Sequence, residues 1–332
     1  MTRLRAVLAM PPDLVPVLFR AAARSRLAAV ADIDFGLVTG DFAEPTARDA
    51  LARTEVLITG WGCPRLNAAV LSAAPRLRAI VHAAGSVRPL LAPGLWPSGV
   101  VVSSAARANA EPVAQFTLAM VLLAHKRAFA RARAYAGGQV LRGYADLSLG
   151  NAGRTVGVVG ASRVGRLVLP LLAAQGFRLL LADPTLAGAI PGAELTGLDE
   201  LMARSDLVTL HAPALPQTYR MIDDRRLALM RDGAILVNTA RGALVDTEAL
   251  TRHCADGRID AVLDVTDPEP LPPSHPLFAL PNVLLTPHLA GALGTEVAML
   301  GDFAVAEVER LAGGQPLLGE VTAADLRYIA LW

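Results

Sequence analysis

The sequence contains few of the residues on which disulfide frameworks and metal sites depend. Its 332 residues include only two cysteines, Cys63 and Cys254, which are far apart and lack metal-ligand spacing. This cysteine usage fits a reducing compartment better than a disulfide framework, so we expect a cytoplasmic location and no metal site.

Long hydrophobic runs and an excess of one charge are also lacking. The longest apolar candidate, VAQFTLAMVLLA before His125, stops short of the roughly 18 residues that a membrane span needs. The N-terminal apolar stretch is broken by Pro11 and Pro12 and is better explained as a first strand than as a signal peptide. The 31 basic and 30 acidic side chains give a formal net charge of +1, which does not attract a polyanion. We therefore expect neither a membrane nor a nucleic acid as a partner.

Apolar residues are abundant and alternate between strand-like and helix-like segments. They make up 53% of the chain, and a chain of this length favours two domains. The first part of the sequence contains the runs RLRAVLAM, DLVPVLFRAAARS, EVLITGW, NAAVLSAAP, LRAIVHAAG and GVVVSSAA. A second, more regular series begins after Gly150 and includes RTVGVVG, FRLLLAD, DLVTLHAP, GAILVNTA, AVLDV and NVLLTPH. This alternation predicts α/β domains with doubly wound parallel sheets.

Two helical segments connect the parts of the chain. The first is EPVAQFTLAMVLLAHKRAFARARAY, whose length and apolar spacing predict one long helix that continues into a basic arm. The basic run from Lys126 to Arg133 is more often a solvated helix face than a nucleic-acid contact. The second, GALGTEVAMLGDFAVAEVERLAGG, follows His288 and is expected to return to the first domain.

A nucleotide site is predicted where a glycine-containing turn joins an apolar strand to an apolar helix. The run TVGVVGASRVGR places Gly160, Ser162 and Gly165 at the spacing of the dinucleotide fingerprint, with Arg163 and Val164 inside it. Gly160 permits a tight turn, the helix that starts near Arg163 directs N–H groups at a pyrophosphate, and Gly165 permits close packing. Ser162 replaces the middle glycine, and its hydroxyl can donate to phosphate or cap the helix. By itself this pattern is equally typical of a cofactor site and of an ordinary βα turn that contains glycine.

Asp183 strengthens the cofactor prediction. It ends the next apolar run, LLLAD, about 20 residues beyond the glycines, where ribose recognition requires an acidic residue. A carboxylate at this point accepts hydrogen bonds from ribose hydroxyls and repels a 2′-phosphate, so NAD is favoured over NADP. An acidic residue in a strand-to-loop turn is the alternative, and the combination with the glycines favours the cofactor site.

Three more elements follow in order: NTARG with Arg241, LDVTDPEP with Asp264 and Glu269, and TPHLAG with His288. Together with the fingerprint, SDLVTLHAP and MRDGAILVNTARGALVD, they resemble the D-isomer-specific 2-hydroxyacid dehydrogenase family over nearly the whole chain, most densely from Gly157 to Gly291. A lone arginine, glutamate or histidine is more often structural. Their order at predicted strand ends favours function.

The resemblance implies an NAD-dependent oxidoreductase that transfers a hydride between the nicotinamide and C2 of a small 2-hydroxy or 2-oxo acid. Arg241 would bind the substrate carboxylate and carbonyl with a forked geometry that lysine does not reproduce. His288 would be the acid/base, and Glu269 would accept a hydrogen bond from the other imidazole nitrogen.

The resemblance also implies which residues surround the cofactor and the substrate. Asp264 would meet the nicotinamide carboxamide, and four residues would line the cofactor: Ala212, Pro213, Thr239 and Ala240. In HAAGSVR, Gly85 and Ser86 would bind the substrate carboxylate through their backbone N–H groups. This turn departs from the family pattern, because it has Ser86 where the family usually has glycine and Arg88 where the family usually has aspartate.

The domain arrangement follows from the same resemblance. A Rossmann NAD-binding domain, residues 109–289, would be inserted into a flavodoxin-like substrate domain formed by residues 1–108 and 290–332. A homodimer is implied, with the helix around Phe116 to His125 as a contact. The alternatives are an NAD(H)-sensing binding protein without turnover and an NAD enzyme for another substrate. The complete set of Arg241, Glu269 and His288 argues against both. A sensor needs no proton donor, and an NAD enzyme for another substrate would be expected to have lost the glutamate or the arginine.

Overall fold

The described residues of the computed structural model, 3–35, 38–139 and 146–325, form two sheets, each in its own unit of the chain. Unit 1 comprises Met1–Asn109 and Ala292–Trp332, and unit 2 comprises Ala110–Gly291. The predicted limits of 1–108 with 290–332 and of 109–289 fall beside these boundaries.

The strands are short and are numbered in chain order. They are β1 (Leu4–Ala9), β2 (Ala31–Asp32), β3 (Val38–Thr39), β4 (Val56–Thr59), β5 (Ala79–His82), β6 (Val101–Ser104), β7 (Thr155–Val159), β8 (Arg178–Ala182), β9 (Glu194–Leu195), β10 (Leu207–Leu210), β11 (Ile235–Asn238), β12 (Asp260–Leu263), β13 (Val283–Leu285) and β14 (Glu320–Val321).

The helices alternate with the strands. They are α1 (Val15–Leu18), α2 (Ala21–Val30), α3 (Pro45–Leu51), α4 (Ala68–Ala73), α5 (Ala106–Ala124), α6 (Ala128–Ala136), α7 (Arg163–Ala173), α8 (Leu198–Arg204), α9 (Asp224–Leu229), α10 (Thr247–Ala255) and α11 (Val297–Ala312). Within the described ranges, none of them is both long enough and apolar enough to cross a membrane.

The sheet of unit 1 has the strand order of a flavodoxin-like fold. The order is β14-β6-β5-β4-β1-β2, and β3 pairs with the far half of β1. Because β2 and β3 pair with successive parts of β1, they share one position beside it. The strands are parallel except for β14, which pairs with β6 in the antiparallel direction. This arrangement confirms the prediction of a doubly wound sheet for the first domain.

The sheet of unit 2 is parallel throughout and has the Rossmann order. The strands follow the order β13-β12-β11-β10-β7-β8-β9, so the direction of winding reverses between β7 and β10. Both β10 and β11 are buried along their whole length, which explains their uninterrupted apolar sequence. In an open parallel sheet, ligands bind beyond the carboxyl ends of the strands at this reversal. Among the strands of this sheet, β9 has no apolar run that would predict it, because both of its residues are exposed.

The predicted long helix is interrupted, and its basic arm is bound to the sheet. Arg127 separates α5 from α6 in a left-handed conformation with φ of 49°. Its Nε lies 2.9 Å from Asp260 Oδ2, and Arg133 donates hydrogen bonds to the carbonyls of Pro281 and Val283 at 2.8 and 2.9 Å. Both arginines keep exposed surface, as predicted for a solvated face, and they also bind the amino-terminal ends of β12 and β13.

A buried carboxylate holds the C-terminal segment in unit 1. Glu307 of α11 has no exposed surface and accepts three hydrogen bonds: from the Ser103 hydroxyl at 2.5 Å and from the N–H groups of Leu318 and Gly319 at 2.9 Å each. These bonds place β14 beside β6. The helix after His288 therefore returns to the first domain, as the sequence predicted.

Replacing Glu307 with alanine tests this anchor. The variant Glu307→Ala leaves a hydroxyl and two N–H groups without their acceptor, so we expect the free energy of unfolding of unit 1 to fall by about 2–4 kcal/mol. Denaturation followed by tryptophan fluorescence reports on this unit, because Trp61 and Trp96 belong to it. Glu309→Ala, on the same helix, removes an exposed ion pair with Arg26 and should cost less than about 1 kcal/mol. Equal losses in the two variants would contradict the anchoring role.

Candidate active site

The turn between β7 and α7 requires glycine at two positions. Gly160 has φ of +97°, and a Cβ added to it would lie 2.7 Å from the Ala212 nitrogen. A Cβ added to Gly165 would overlap the Gly160 carbonyl oxygen. Strand and helix therefore approach each other as closely as a dinucleotide-binding turn needs.

Ser162 fits the middle position of the fingerprint without strain. Its backbone, with φ of −62° and ψ of −178°, is extended, a conformation that any residue adopts. The residue is the N-cap of α7, and its Oγ accepts a long hydrogen bond of 3.4 Å from the Gly165 N–H. Arg163 and Val164 begin the helix, the first exposed and the second packed on the core. The departure from glycine therefore leaves the turn intact.

Asp183 lies beyond the end of β8 and stabilises the same turn. Its Oδ2 accepts a hydrogen bond from the Ala161 N–H at 2.7 Å, and its Oδ1 accepts from the N–H and hydroxyl of Thr185 at 2.8 and 2.7 Å. Burial acts to raise the pKa of Asp183, but the hydrogen bonds from Thr185 and Ala161 outweigh it and hold the pKa below its ordinary value. The carboxylate is therefore ionised at neutral pH and carries the charge expected of a ribose-binding group.

Two further loops complete the carboxyl edge of the sheet around this turn. Ala212 and Pro213 follow β10, with Ala212 packed against Gly160. Thr239 and Ala240 follow β11, and the buried Thr239 hydroxyl lies 2.8 Å from that of Thr117 on α5. The glycine positions, the helix N-terminus and the acidic residue fit a bound dinucleotide.

Asn238 shapes the loop that presents Arg241. Its side-chain oxygen accepts a hydrogen bond from the Ala240 N–H at 3.0 Å, and its amide nitrogen donates to the Arg241 carbonyl at 2.8 Å. A guanidinium nitrogen of Arg241 donates to the Ala240 carbonyl at 2.6 Å, while its buried Nε has no partner in the part of the chain that the structure describes. Burial lowers the pKa of Arg241, and the nearby Glu269 carboxylate opposes this effect. The guanidinium thus has donors available for an anionic ligand.

Asp264 organises the loop that carries His288. This aspartate is 2% exposed and directly follows β12. Its carboxylate accepts hydrogen bonds from the Thr286 hydroxyl and from the N–H groups of Leu289 and Ala290, at 2.7, 2.8 and 3.0 Å. Its carbonyl accepts a further bond from the His288 N–H at 3.0 Å.

His288 and Glu269 form a hydrogen-bonded pair. The distance between His288 Nδ1 and Glu269 Oε1 is 2.6 Å, and 51% and 41% of the two side chains are exposed. A carboxylate only accepts hydrogen bonds, so Nδ1 is the donor and Nε2 is directed away from the glutamate. The loops also touch elsewhere, because a Cβ added to Gly242 would overlap the Thr266 carbonyl. The three predicted catalytic residues, Arg241, Glu269 and His288, therefore lie in one cluster within unit 2.

Gly85 and Ser86 lie in the other unit. They follow β5 at the carboxyl edge of the unit 1 sheet, and both are partly exposed. The Ser86 hydroxyl accepts a hydrogen bond of 3.3 Å from the Arg88 N–H, which shapes the turn. Their predicted contact with the substrate remains a prediction.

The remaining histidines near predicted motifs are structural. Burial lowers the pKa of His82 to about 4 and that of His211 to about 3, so both imidazoles are neutral at pH 7. His82 Nδ1 lies 2.8 Å from the Thr59 hydroxyl, and His211 Nε2 lies 3.0 Å from that of Thr209. Neither has the exposed nitrogen that proton transfer to a substrate requires.

The sequence pattern did not indicate three other residues that hold the site loops, Asn238, Thr286 and Thr117. Asn238 begins the NTARG motif, and Thr286 begins TPHLAG. Short polar residues that precede a functional arginine or histidine are a usable signal, because they form local hydrogen bonds with turns. Thr117 lies far away in the chain within an apolar helix and has no such signal.

The fold and these side chains define an NAD-dependent oxidoreductase. A sequence model described as D-isomer specific 2-hydroxyacid dehydrogenase, NAD binding domain, matches residues 118–290. The chain belongs to the D-isomer specific 2-hydroxyacid dehydrogenase family, whose members oxidise CH–OH groups with NAD as cofactor.

Individual relatives agree with this assignment. The chain is 34% identical over 236 residues to a glyoxylate reductase from Thermofilum pendens, a match that covers 69% of this chain and 70% of the relative. It is 38% identical over 251 residues to a D-3-phosphoglycerate dehydrogenase from Mycobacterium leprae, covering 74% of this chain and 47% of the relative, so it spans about half of that protein's length. A phosphoglycerate oxidoreductase structure from Rhizobium etli superposes with a TM-score of 0.80 at 25% identity, covering 96% and 99% of the two chains.

The close approach at Gly165 can be tested by cofactor binding alone. Gly165→Ala should raise the Kd for NADH by at least about tenfold, or about 1.4 kcal/mol, because the added methyl group separates helix and strand. Gly197→Ala is the matched control, since a Cβ at Gly197 has no neighbour within 4 Å. Calorimetric titration measures both affinities, and circular dichroism confirms folding. Equal affinity in both variants would exclude a pyrophosphate at this turn.

Proposed function

We propose that the chain catalyses reversible hydride transfer between NAD(H) and C2 of a small 2-hydroxy or 2-oxo acid. Arg241 binds the acid, and His288, paired with Glu269, exchanges a proton with its C2 oxygen. The observation that carries the proposal is the cluster of these three side chains at the carboxyl edge of the Rossmann sheet, with the imidazole half exposed.

Arg241 supplies the positive charge that the reaction needs. A 2-oxo acid presents a carboxylate and a carbonyl oxygen side by side, and a planar guanidinium donates to both at once. The partly buried position of Arg241 excludes water, which strengthens its attraction for an anion. The same contact orients C2 and polarises its carbonyl.

His288 handles the proton. Because Glu269 occupies Nδ1, Nε2 is the nitrogen that exchanges the proton: it donates to the developing alkoxide during reduction and accepts the hydroxyl proton during oxidation. The carboxylate of Glu269 orients the ring through its hydrogen bond with Nδ1.

The other predicted residues serve the cofactor and the acid. NAD, when bound, supplies or accepts the hydride. Asp183 would bind the ribose hydroxyls, and Asp264 would accept a hydrogen bond from the nicotinamide carboxamide. The remaining cofactor contacts are those at the helix N-terminus and the flanking loops: Gly160, Ser162, Arg163, Val164, Gly165, Ala212, Pro213, Thr239 and Ala240. Gly85 and Ser86 bind the substrate carboxylate with their N–H groups.

An NAD(H)-sensing protein without turnover is the alternative function. A sensor requires the nucleotide turn and Asp183 but has no use for a guanidinium, a carboxylate and an exposed imidazole in one cluster. The 2.6 Å hydrogen bond between His288 and Glu269 therefore favours the enzyme.

A substrate panel separates the two functions. Purified protein mixed with NADH and glyoxylate, hydroxypyruvate, pyruvate, 2-oxoglutarate or a bulkier 2-oxo acid should oxidise NADH with at least one of them, as followed by absorbance. Binding of NADH without oxidation across the panel would favour the sensor.

The role of Arg241 predicts the kinetics of a conservative variant. Arg241→Lys keeps the charge but loses the fork, so kcat/KM for the preferred 2-oxo acid should fall about 10- to 100-fold while the Kd for NADH is preserved. Arg220→Lys is the control, because Arg220 is exposed and lies over the Tyr219 ring in the same unit. Unchanged steady-state kinetics in Arg241→Lys would refute the role.

We further propose a cytoplasmic homodimer. The location is supported by the two unpaired cysteines, Cys63 and Cys254. The dimer contact lies on α5, where Gln115, Ala119 and Leu123 form an exposed stripe at four-residue spacing. His125, at the end of the predicted contact, is only 4% exposed and packs against Phe177, so the stripe rather than this histidine meets the partner.

Two leucines of equal exposure provide a test of the dimer. Leu123 on α5 and Leu167 on α7 are each 38% exposed. Leu123→Arg places a charge in the proposed contact and should convert a dimer to a monomer, whereas Leu167→Arg should leave it unchanged. Light scattering after size-exclusion chromatography measures the mass. A monomeric wild-type chain would refute the dimer, and a dimeric Leu123→Arg variant would refute this contact.

A further inference from the structure

The loop from Thr286 to Ala290, called here the histidine loop, is held in a strained backbone conformation. His288 has φ of +51°, in the left-handed region that a side chain other than glycine rarely adopts. Such a conformation costs on the order of 1 kcal/mol and persists only where surrounding contacts impose it. The contacts that impose it here can be identified.

Most of these contacts converge on Asp264. Its Oδ1 accepts hydrogen bonds from the Thr286 hydroxyl and the Leu289 N–H, and its Oδ2 accepts one from the Ala290 N–H. The His288 N–H is shared between the carbonyls of Asp264 and Thr286, at 3.0 Å each. Donors on both sides of His288 are thus bound to one buried residue that directly follows β12.

We infer that Thr286 and Asp264 form a clamp that positions His288, and that Thr286 is a positioning residue for the reaction. The inference rests on the proposed function, because it assigns the clamp to the proton-transfer group. Glu269 fixes only one nitrogen of the imidazole ring. Because the side chain of His288 is half exposed, its position also depends on how the backbone of His288 is held. The Thr286 hydroxyl supplies the side-chain donor of the clamp without touching the imidazole.

The chemistry of the clamp explains why a charged acceptor is used. An ionised carboxylate accepts several hydrogen bonds and binds each more strongly than a neutral acceptor does. Three donors directed at Asp264 occupy both of its oxygens, and Oδ2, with one donor, retains a lone pair for a further donor. The same carboxylate can therefore hold the histidine loop and meet the carboxamide of the cofactor.

Substitutions of Thr286 test the role of Asp264 in holding the histidine loop separately from its role in binding the cofactor. Thr286→Val has nearly the same shape as threonine but lacks the hydroxyl, whereas Thr286→Ser retains it. We expect kcat of Thr286→Val to fall on the order of 10- to 100-fold, while KM for the 2-oxo acid and the Kd for NADH stay within about twofold of wild type. Thr286→Ser should retain most of the wild-type kcat.

Amide hydrogen exchange of the wild-type protein gives a measurement that needs no variant. The N–H groups of Leu289 and Ala290 should exchange slowly, and Thr286→Val should accelerate them without changing the thermal midpoint. The clamp is overturned if these amides exchange freely in wild type, if kcat of Thr286→Val is unchanged, if valine and serine are equally impaired, or if NADH affinity falls as much as kcat.

Failure of the clamp can be distinguished from failure of the proposed function. A wild-type chain that binds NADH but reduces no 2-oxo acid refutes the enzyme, and hydrogen exchange then still decides whether the clamp exists. A wild-type chain that turns over, with a fully active Thr286→Val variant, refutes only the positioning role.

Discussion

The parallel pairing of strands that are buried on both faces is the constraint on which the site depends. In unit 2, β7, β8, β10, β11 and β12 pair in a continuous register from Thr155 to Leu263. Parallel pairing brings every carboxyl end to the same edge of the sheet. The residues after these strands are far apart in the chain, yet they meet there because the backbone hydrogen bonds of the sheet leave no other arrangement.

At that edge, short polar side chains convert strand ends into defined loops. Asn238 forms hydrogen bonds on both sides of the turn that presents Arg241. Asp183 accepts hydrogen bonds from the turn between β7 and α7 and from Thr185. Asp264 accepts hydrogen bonds from the histidine loop. Each acceptor satisfies N–H groups that the ends of strands and helices leave unpaired. The loops are therefore rigid enough to bring Glu269 and His288 to 2.6 Å.

Much of the fold could be predicted because its strands are apolar runs bounded by turns. Segments such as RTVGVVG and GAILVNTA became β7 and β11 with nearly the expected limits, and the family motifs indicated Arg241, Glu269 and His288 by their order. The break at Arg127 was not predicted, because the apolar and basic pattern continues through it. At the break, Arg127 forms an ion pair with Asp260, a residue far along the chain that no local pattern contains.

The sequence by itself determined the fold class, the family and the candidate reacting side chains, because periodicity, glycine spacing and motif order are local properties of the chain. Tertiary structure alone decided which groups hold those side chains in position. The buried bond of Glu307 with Ser103, the pairing of Thr117 with Thr239 and the convergence of Thr286, Leu289 and Ala290 on Asp264 join separate segments of the chain. Hydrogen bonds of this kind depend on distances of about 3 Å, and such distances exist only after the sheet has brought the strand ends together.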